Sequence, residues 1–149
     1  MAGKQQVSPE RTGWRDEEIS RRHRDYGIAL PAVDMDFVLI EYDSAEVCAV
    51  IEHKRYTAKP VHLNSTSIVA MSRFATKGEV PFYIVRYWPA TNTEPWYYEV
   101  MPVNSYASEY VSRKMMMSEK AYVNLLYRLR HPKVMPDEIA ATLGDYIPF

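Results

Sequence analysis

Short apolar runs in the middle of the chain, with helically spaced apolar positions on either side, predict its elements. Asp16, Glu17 and Glu18 stand ahead of Arg21, Arg22 and Arg24, an order that suits a helix because its dipole favours acids in the first turn and bases in the last. Trp14, Ile19, His23 and Tyr26 give this segment a weak apolar stripe and Gly27 a stop, so a helix is expected over residues 15–26. Residues 37–42 and 47–52 are short, apolar and rich in Val and Ile, with Asp43, Ser44, Ala45 and Glu46 as turn material between them. That pattern predicts a β-hairpin.

A second helix is expected over residues 65–76, where Ile68, Val69, Met71, Ser72 and Ala75 cover one face and Lys77-Gly78 ends it. It would cross over to another strand. Residues 82–88 and 96–103 are aromatic and β-branched, joined by a loop over 89–95 whose Pro, Thr and Asn suit a turn between antiparallel neighbours. Tyr122, Leu125, Leu126 and Leu129 recur at i, i+3, i+4 and i+7 behind Ser118 as an N-cap, which describes an amphipathic helix packed on the sheet. A short last helix is expected over 136–143. The order is helix, hairpin, helix, hairpin, helices, in a sheet of four or more strands.

Composition narrows the class. A chain of 149 residues builds one core and buries roughly 68–70% of its unfolded surface. Apolar residues are 47% and charged residues 25%, the balance of an ordinary globular protein rather than a disordered or membrane one. No apolar run approaches the ~20 residues of a membrane span, so no membrane contact is expected. Residues 1–13 read as a polar N-terminal arm without a secretory signal, and residues 14–149 as a single domain. Cys48 is the one cysteine, so no intrachain disulfide forms and a cytoplasmic, reducing location is expected. The formal charge of −1 excludes a uniformly basic surface, but phosphate binding needs positive potential only locally.

Candidate chemistry lies in residues 31–55, PAVDMDFVLIEYDSAEVCAVIEHKR. If Asp43, Ser44 and Ala45 form a three-residue loop, pairing is symmetric about Ser44 and sets Asp36 opposite Glu52 and Asp34 opposite Lys54. Directly paired residues share a face, and alternation keeps Asp34 with Asp36 and Glu52 with Lys54. Three acids and a lysine then converge. A four-residue loop would instead set Asp36 opposite His53 and turn it from the face of Glu52. Carboxylates are the ligands Mg²⁺ prefers, and a divalent ion lowers the pKa of a bound water and screens a phosphate. In that arrangement Asp36 and Glu52 hold the metal, while Lys54 orients the attacking water or neutralises charge on the phosphorus oxygens.

Asp, strand, turn, strand and Glu-x-Lys after an acidic helix resemble the PD-(D/E)XK nuclease superfamily. The resemblance covers residues 14–76 and implies an α/β (α+β) fold: a restriction-endonuclease-like mixed β-sheet flanked by helices, with an αβββαβ-type core and an added C-terminal hairpin strand and helices. It implies a metal-dependent nuclease that cleaves DNA with Mg²⁺ or Mn²⁺. Asp36 takes the place of the first acid, and Glu52 and Lys54 the Glu-x-Lys places, with His53 as the variable middle residue. The family's proline commonly abuts the acid, whereas Pro31 precedes Asp34 by three positions and Asp36 by five. Asp34 therefore stands as a second candidate ligand, although the apolar strand begins directly behind Asp36. Some members, including Holliday-junction resolvases, add a glutamate from the first helix, and Glu18 matches best, with Glu17 next.

Other signals have plainer readings. Arg21 and Arg22 are candidate phosphate contacts, against the alternative of a solvated helix face. Arg55 and Lys59, just past the motif, are better placed. Arg128, Arg130, His131 and Lys133 suit a helix C-terminus whatever the protein binds. The four histidines lack zinc spacing, and His53 reads as a spectator. Met115, Met116 and Met117 read as gap-filling or a flexible contact. Trp88, Trp96, Tyr97 and Tyr98 read as packing before base stacking. The expected function is a DNA nuclease, as a homodimer or with a protein partner supplying specificity; the alternative is a catalytically silent nucleic-acid- or protein-binding module on the same fold.

Overall fold

The computed structural model describes residues 17–33, 35, 37–130 and 136–143. The polar arm, Trp14, Asp34, Asp36, His131 and Lys133 lie outside these residues. Among the described residues the elements are α1 (Glu17–Arg24), β1 (Phe37–Glu41), β2 (Glu46–Arg55), α2 (Thr66–Lys77), β3 (Phe82–Trp88), β4 (Tyr97–Pro102), α3 (Ser105–Ser108), β5 (Met115–Ser118), α4 (Glu119–Leu129) and α5 (Asp137–Thr142).

The strands form one mixed sheet in the order β1-β2-β3-β4-β5. Neighbours are antiparallel except β2 and β3, which run parallel. Parallel neighbours need a long connection, and α2 supplies it. Two strands rather than three precede α2 among the described residues, so the expected αβββαβ core is replaced by αββαββ. The stretch between α1 and β1 carries Gly27 at φ 100° and Pro31, and its described residues form turns and coil.

Alternation along the strands gives the sheet two apolar faces. On one, Ile68, Met71 and Ala75 of α2 pack on Val50, Phe82 and Ile84. On the other, Tyr122, Leu125 and Leu129 of α4 and Ala107 of α3 pack on Ile51, Tyr83, Val85 and Val100. Full burial of a Val, Ile or Leu side chain stabilises by about 1.5–3 kcal/mol, so the two layers make the sheet the centre of stability. Among the described residues, helix α1 contributes no side chain to either layer. Its Ile19 is 58% exposed, in keeping with the weakness of its stripe. No helix among the described residues is long and apolar enough to cross a membrane.

The hairpin register differs from the simple expectation at its tip. The turn spans four residues, 42–45, with Ala45 at φ 55°. Beside it Glu41 pairs with Glu46 and Ile40 with Val47, but Leu39 pairs with Ala49, Val38 with Val50 and Phe37 with Ile51. Cys48 is thus the extra residue of a β-bulge. The bulge moves the pairing back by one, so Phe37 meets Ile51 as symmetry about Ser44 predicts, for a reason the three-residue loop did not contain.

Two short elements were not expected. Met115 to Met117 are strand residues paired with β4, with Met117 opposite Tyr98 and buried. Ser118 ends that strand and caps α4, its Oγ accepting from Ala121 N at 3.1 Å. Helix α3 begins at Asn104, whose Oδ1 accepts from Ala107 N at 3.0 Å and from Phe82 N at 3.1 Å. The Asn104 amide nitrogen donates to Val80 O at 2.8 Å and to Thr76 Oγ1 at 3.3 Å. One buried side chain therefore joins α2, β3 and α3.

Candidate active site

Strand β2 carries Val50, Glu52 and Lys54 on the face that α2 covers. Val50 lies in the apolar layer, and the strand continues past it to the two charged residues. Glu52 is 7% exposed, and a carboxylate so placed needs a partner to remain charged. Lys54 Nζ lies 3.0 Å from Glu52 Oε1, with the lysine side chain 36% exposed. The pair is anchored at one end and open to solvent at the other.

Neighbouring strands extend this site. Glu52 is in register with Ile84, Lys54 with Arg86, and Arg86 with Glu99. Lys54, Arg86 and Glu99 therefore form a charged row across β2, β3 and β4. The row lines an open pocket of 310 Å³ whose walls are Ile84 and Met101, Pro60 and Val61 of the loop after β2, and Lys114 ahead of β5. Strands β2 and β3 both end beside it, and the carboxyl ends of parallel strands are where open α/β sheets place ligands.

One strand repeat further along lies an aromatic row. Trp88 stacks on Tyr97 at 4.8 Å between centroids and 10° between planes, and Tyr56 stacks on Trp88 at 6.2 Å and 16°. The Arg55 guanidinium sits 5.6 Å above the Tyr56 ring.

The residues expected from sequence are placed unequally. Glu52 and Lys54 are together, and Lys59 is exposed next to the pocket-lining Pro60. Arg55 engages Tyr56 from the next position along β2. Arg21 and Arg22 are exposed on α1, where Arg22 lies 3.9 Å from Asp25. Glu18 is exposed on the same helix, and no described interaction brings it to Glu52. Asp34 and Asp36 lie outside the described residues. Phe37, directly after Asp36, is opposite Ile51, directly before Glu52.

His53 is turned to the opposite face. Its Nε2 shares a hydrogen bond of 2.8 Å with the Tyr122 hydroxyl, and Phe37 meets its ring edge-on at 5.0 Å. On that side Tyr98 stacks on Tyr122 at 4.1 Å. Burial, reinforced by the charge of Glu119, pushes the Tyr98 phenol up to about 12. Burial likewise raises that of Tyr122.

Arg86, Glu99 and Lys114 were missed by sequence reasoning. The available signal was a single charge inside each of two apolar-aromatic strands, Arg86 in FYIVRYW and Glu99 in YYEVMP. Among the described residues no three His, Cys, Asp or Glu side chains are placed to share a metal ion. Glu52 has the oxygen chemistry that Mg²⁺ or Mn²⁺ takes, but a complete donor set requires acids beyond the described residues. No family model matches this chain, and neither a curated protein nor a solved structure matches it.

Proposed function

We propose that the protein is a metal-dependent nuclease that hydrolyses phosphodiester bonds in DNA, with Glu52, Lys54 and Asp36 at its centre and Asp34 as a further ligand. The observation that carries this reading is the Lys54–Glu52 contact of 3.0 Å at the open end of a parallel strand pair. The resemblance of residues 14–76 to the PD-(D/E)XK superfamily and the hairpin register support it. Asp36 is the residue before Phe37, and Glu52 the residue after its partner Ile51.

Glu52 and Asp36 would hold Mg²⁺ or Mn²⁺, which supplies a water of lowered pKa and screens the phosphate. Glu52, largely withdrawn from water, keeps a fixed orientation for this task. Lys54 is close enough to hold that orientation and exposed enough to reach an incoming phosphate oxygen. An ammonium aimed before the reaction begins costs no reorganisation as charge builds on phosphorus. Arg86 and Lys114 add positive potential along the same pocket. The same cations favour a second reading, a module that binds nucleic acid without cutting it, because they add charge but no group suited to proton transfer.

The test incubates the protein with supercoiled plasmid and with labelled single-stranded and branched DNA in Mg²⁺, Mn²⁺ or EDTA. Cutting that needs the metal and is lost in Lys54→Ala, with the circular dichroism spectrum kept, supports the nuclease. Undiminished cutting by Lys54→Ala rules out this site. DNA binding without cutting under any condition selects the second reading.

A further inference from the structure

Among the described residues two arginines are partly buried, Arg130 and Arg86. Arg130 grips Glu41 through two of its nitrogens, each 3.1 Å from Oε2. Arg86, on the central strand β3, makes no hydrogen bond or ion pair among the described residues. Its register neighbour on β2 is Lys54, a like charge. On β4 it is Glu99, and the two form no ion pair although their positions are directly paired. A partly withdrawn cation beside a second cation is unfavourable until an anion joins it.

The pocket is the place for that anion. Lys54 already holds Glu52 at 3.0 Å, so the cations left for a ligand are Arg86, from the sheet, and Lys114, from the side of β5. A guanidinium matches two oxygens of a phosphate at once, and an ammonium adds a point charge. Between them lie Ile84 and Met101, an apolar surface that strengthens charge interactions by holding water back. At 310 Å³ the space exceeds what an isolated ion needs and falls at the lower end of the range of ligand sites. It has room for a phosphate and the sugar it esterifies, whose carbon face suits Ile84 and Met101.

We propose that this pocket is a second phosphate site, in which Arg86 and Lys114 hold the phosphate group next along the strand from the one that meets Lys54. Such a site contacts backbone and not base edges, so binding there is independent of sequence. The inference rests on the nuclease reading for its substrate class, but it concerns binding and is read without cleavage. Glu99, beside Arg86, repels a further phosphate and limits the site to one. Arg86 is a positioning residue in this scheme, since it fixes the strand so that the neighbouring phosphate is delivered to Glu52 and Lys54. The group held is a backbone diester or the monoester at a strand end, and both present the same oxygens.

The test measures fluorescence anisotropy of a labelled single-stranded oligonucleotide, with and without a terminal phosphate, in EDTA over a series of salt concentrations. Arg86→Ala should weaken binding about tenfold or more, the loss of a hydrogen-bonded charge contact. Arg86→Ala and Lys114→Ala should each lower the salt slope by about 0.7, the contribution of one phosphate on a single strand. Arg86→Lys should restore the slope, which a merely structural role would not require. Lys114 is exposed, so its variant keeps the test informative if the Arg86 variants fail to fold. Arg113 is exposed and does not line the pocket, and Arg113→Ala should leave the slope unchanged. Tighter binding of the phosphorylated strand, abolished in Arg86→Ala, identifies the monoester; equal binding of the two strands with the slope still lowered identifies the diester. No binding at low salt, an unchanged slope in folded Arg86→Ala or Lys114→Ala, or an equal drop in Arg113→Ala overturns the proposal. Binding through Arg86 and Lys114 by a protein that cuts nothing would defeat the nuclease reading and leave this one standing.

Discussion

The imidazole of His53 and the hydroxyl of Tyr122 share a hydrogen bond of 2.8 Å on the side of the sheet away from Glu52 and Lys54. A residue at the centre of Glu-His-Lys thus belongs to the packing of α4. His53→Ala should lower stability by about 1–3 kcal/mol, because it strands the hydroxyl of a buried tyrosine. Urea unfolding measures that loss. On the proposed nuclease reading, cleavage per folded molecule should stay within about twofold, since the face of Glu52 and Lys54 is untouched. Activity lost at unchanged stability would mean that His53 serves the reaction.

Tyr98 and Tyr122 predict an alkaline limit to stability. Burial raises both phenols above their ordinary value near 10, that of Tyr98 to about 12. Between those values the unfolded chain has released protons that the folded chain keeps, so stability falls as pH rises. The contribution is complete below pH 10 and is lost on passing upward through the folded values. Phenolate absorbance should show a late class of tyrosines whose ionisation coincides with loss of near-ultraviolet dichroism. If all tyrosines ionise near pH 10 in a protein that stays folded, the account of this stack is wrong.

Glu41 predicts a further stability effect, at the tip end of the hairpin that carries the site. The Arg130 Nε donates to Glu41 Oε2 at 3.1 Å, and its terminal nitrogen is equally close. Glu41 is 7% exposed, so Arg130→Ala leaves a withdrawn carboxylate without this partner. The expected loss is about 2–3 kcal/mol, less than for a fully buried pair because the arginine side chain is 30% exposed. The double variant Glu41→Leu/Arg130→Met should be more stable than Arg130→Ala, and thermal denaturation compares the two.

Asn104→Ala should be the most damaging of these changes. It removes the α3 cap and strands the Phe82 amide inside the sheet. About 2–4 kcal/mol is expected from a cap and a buried donor together. Asn104→Asp should recover part of this through its remaining oxygen, by the same denaturation assay.

Legibility in the sequence followed the range of the interactions. The hairpin, the crossover helix, β3, β4 and the Ser118 cap are written in local periodicity, and each formed close to its expected bounds. Strand β5 was missed because Met115 to Met117 carry no β-branched residue and become strand only through pairing with β4. Asn104 was missed because its partners lie at Thr76, Val80 and Phe82, and no window of sequence contains them with α3. Glu52 and Lys54 were legible as a pair two residues apart. Their extension to Arg86 and Glu99 needed the registers of two further strand pairs, one of them parallel.

The bulge at Cys48 gives the hairpin a kind of slack. The site end of β2 is indexed by β3, where Val50 meets Phe82, while the tip is indexed by its own turn and by the Arg130–Glu41 contact on β1. One surplus residue between them absorbs the mismatch, much as an expansion joint separates two spans. A residue gained or lost in the turn can therefore be taken up at position 48 without moving Glu52 or Lys54. The turn beyond Glu41 can thereby vary in length while the charged face keeps its alignment.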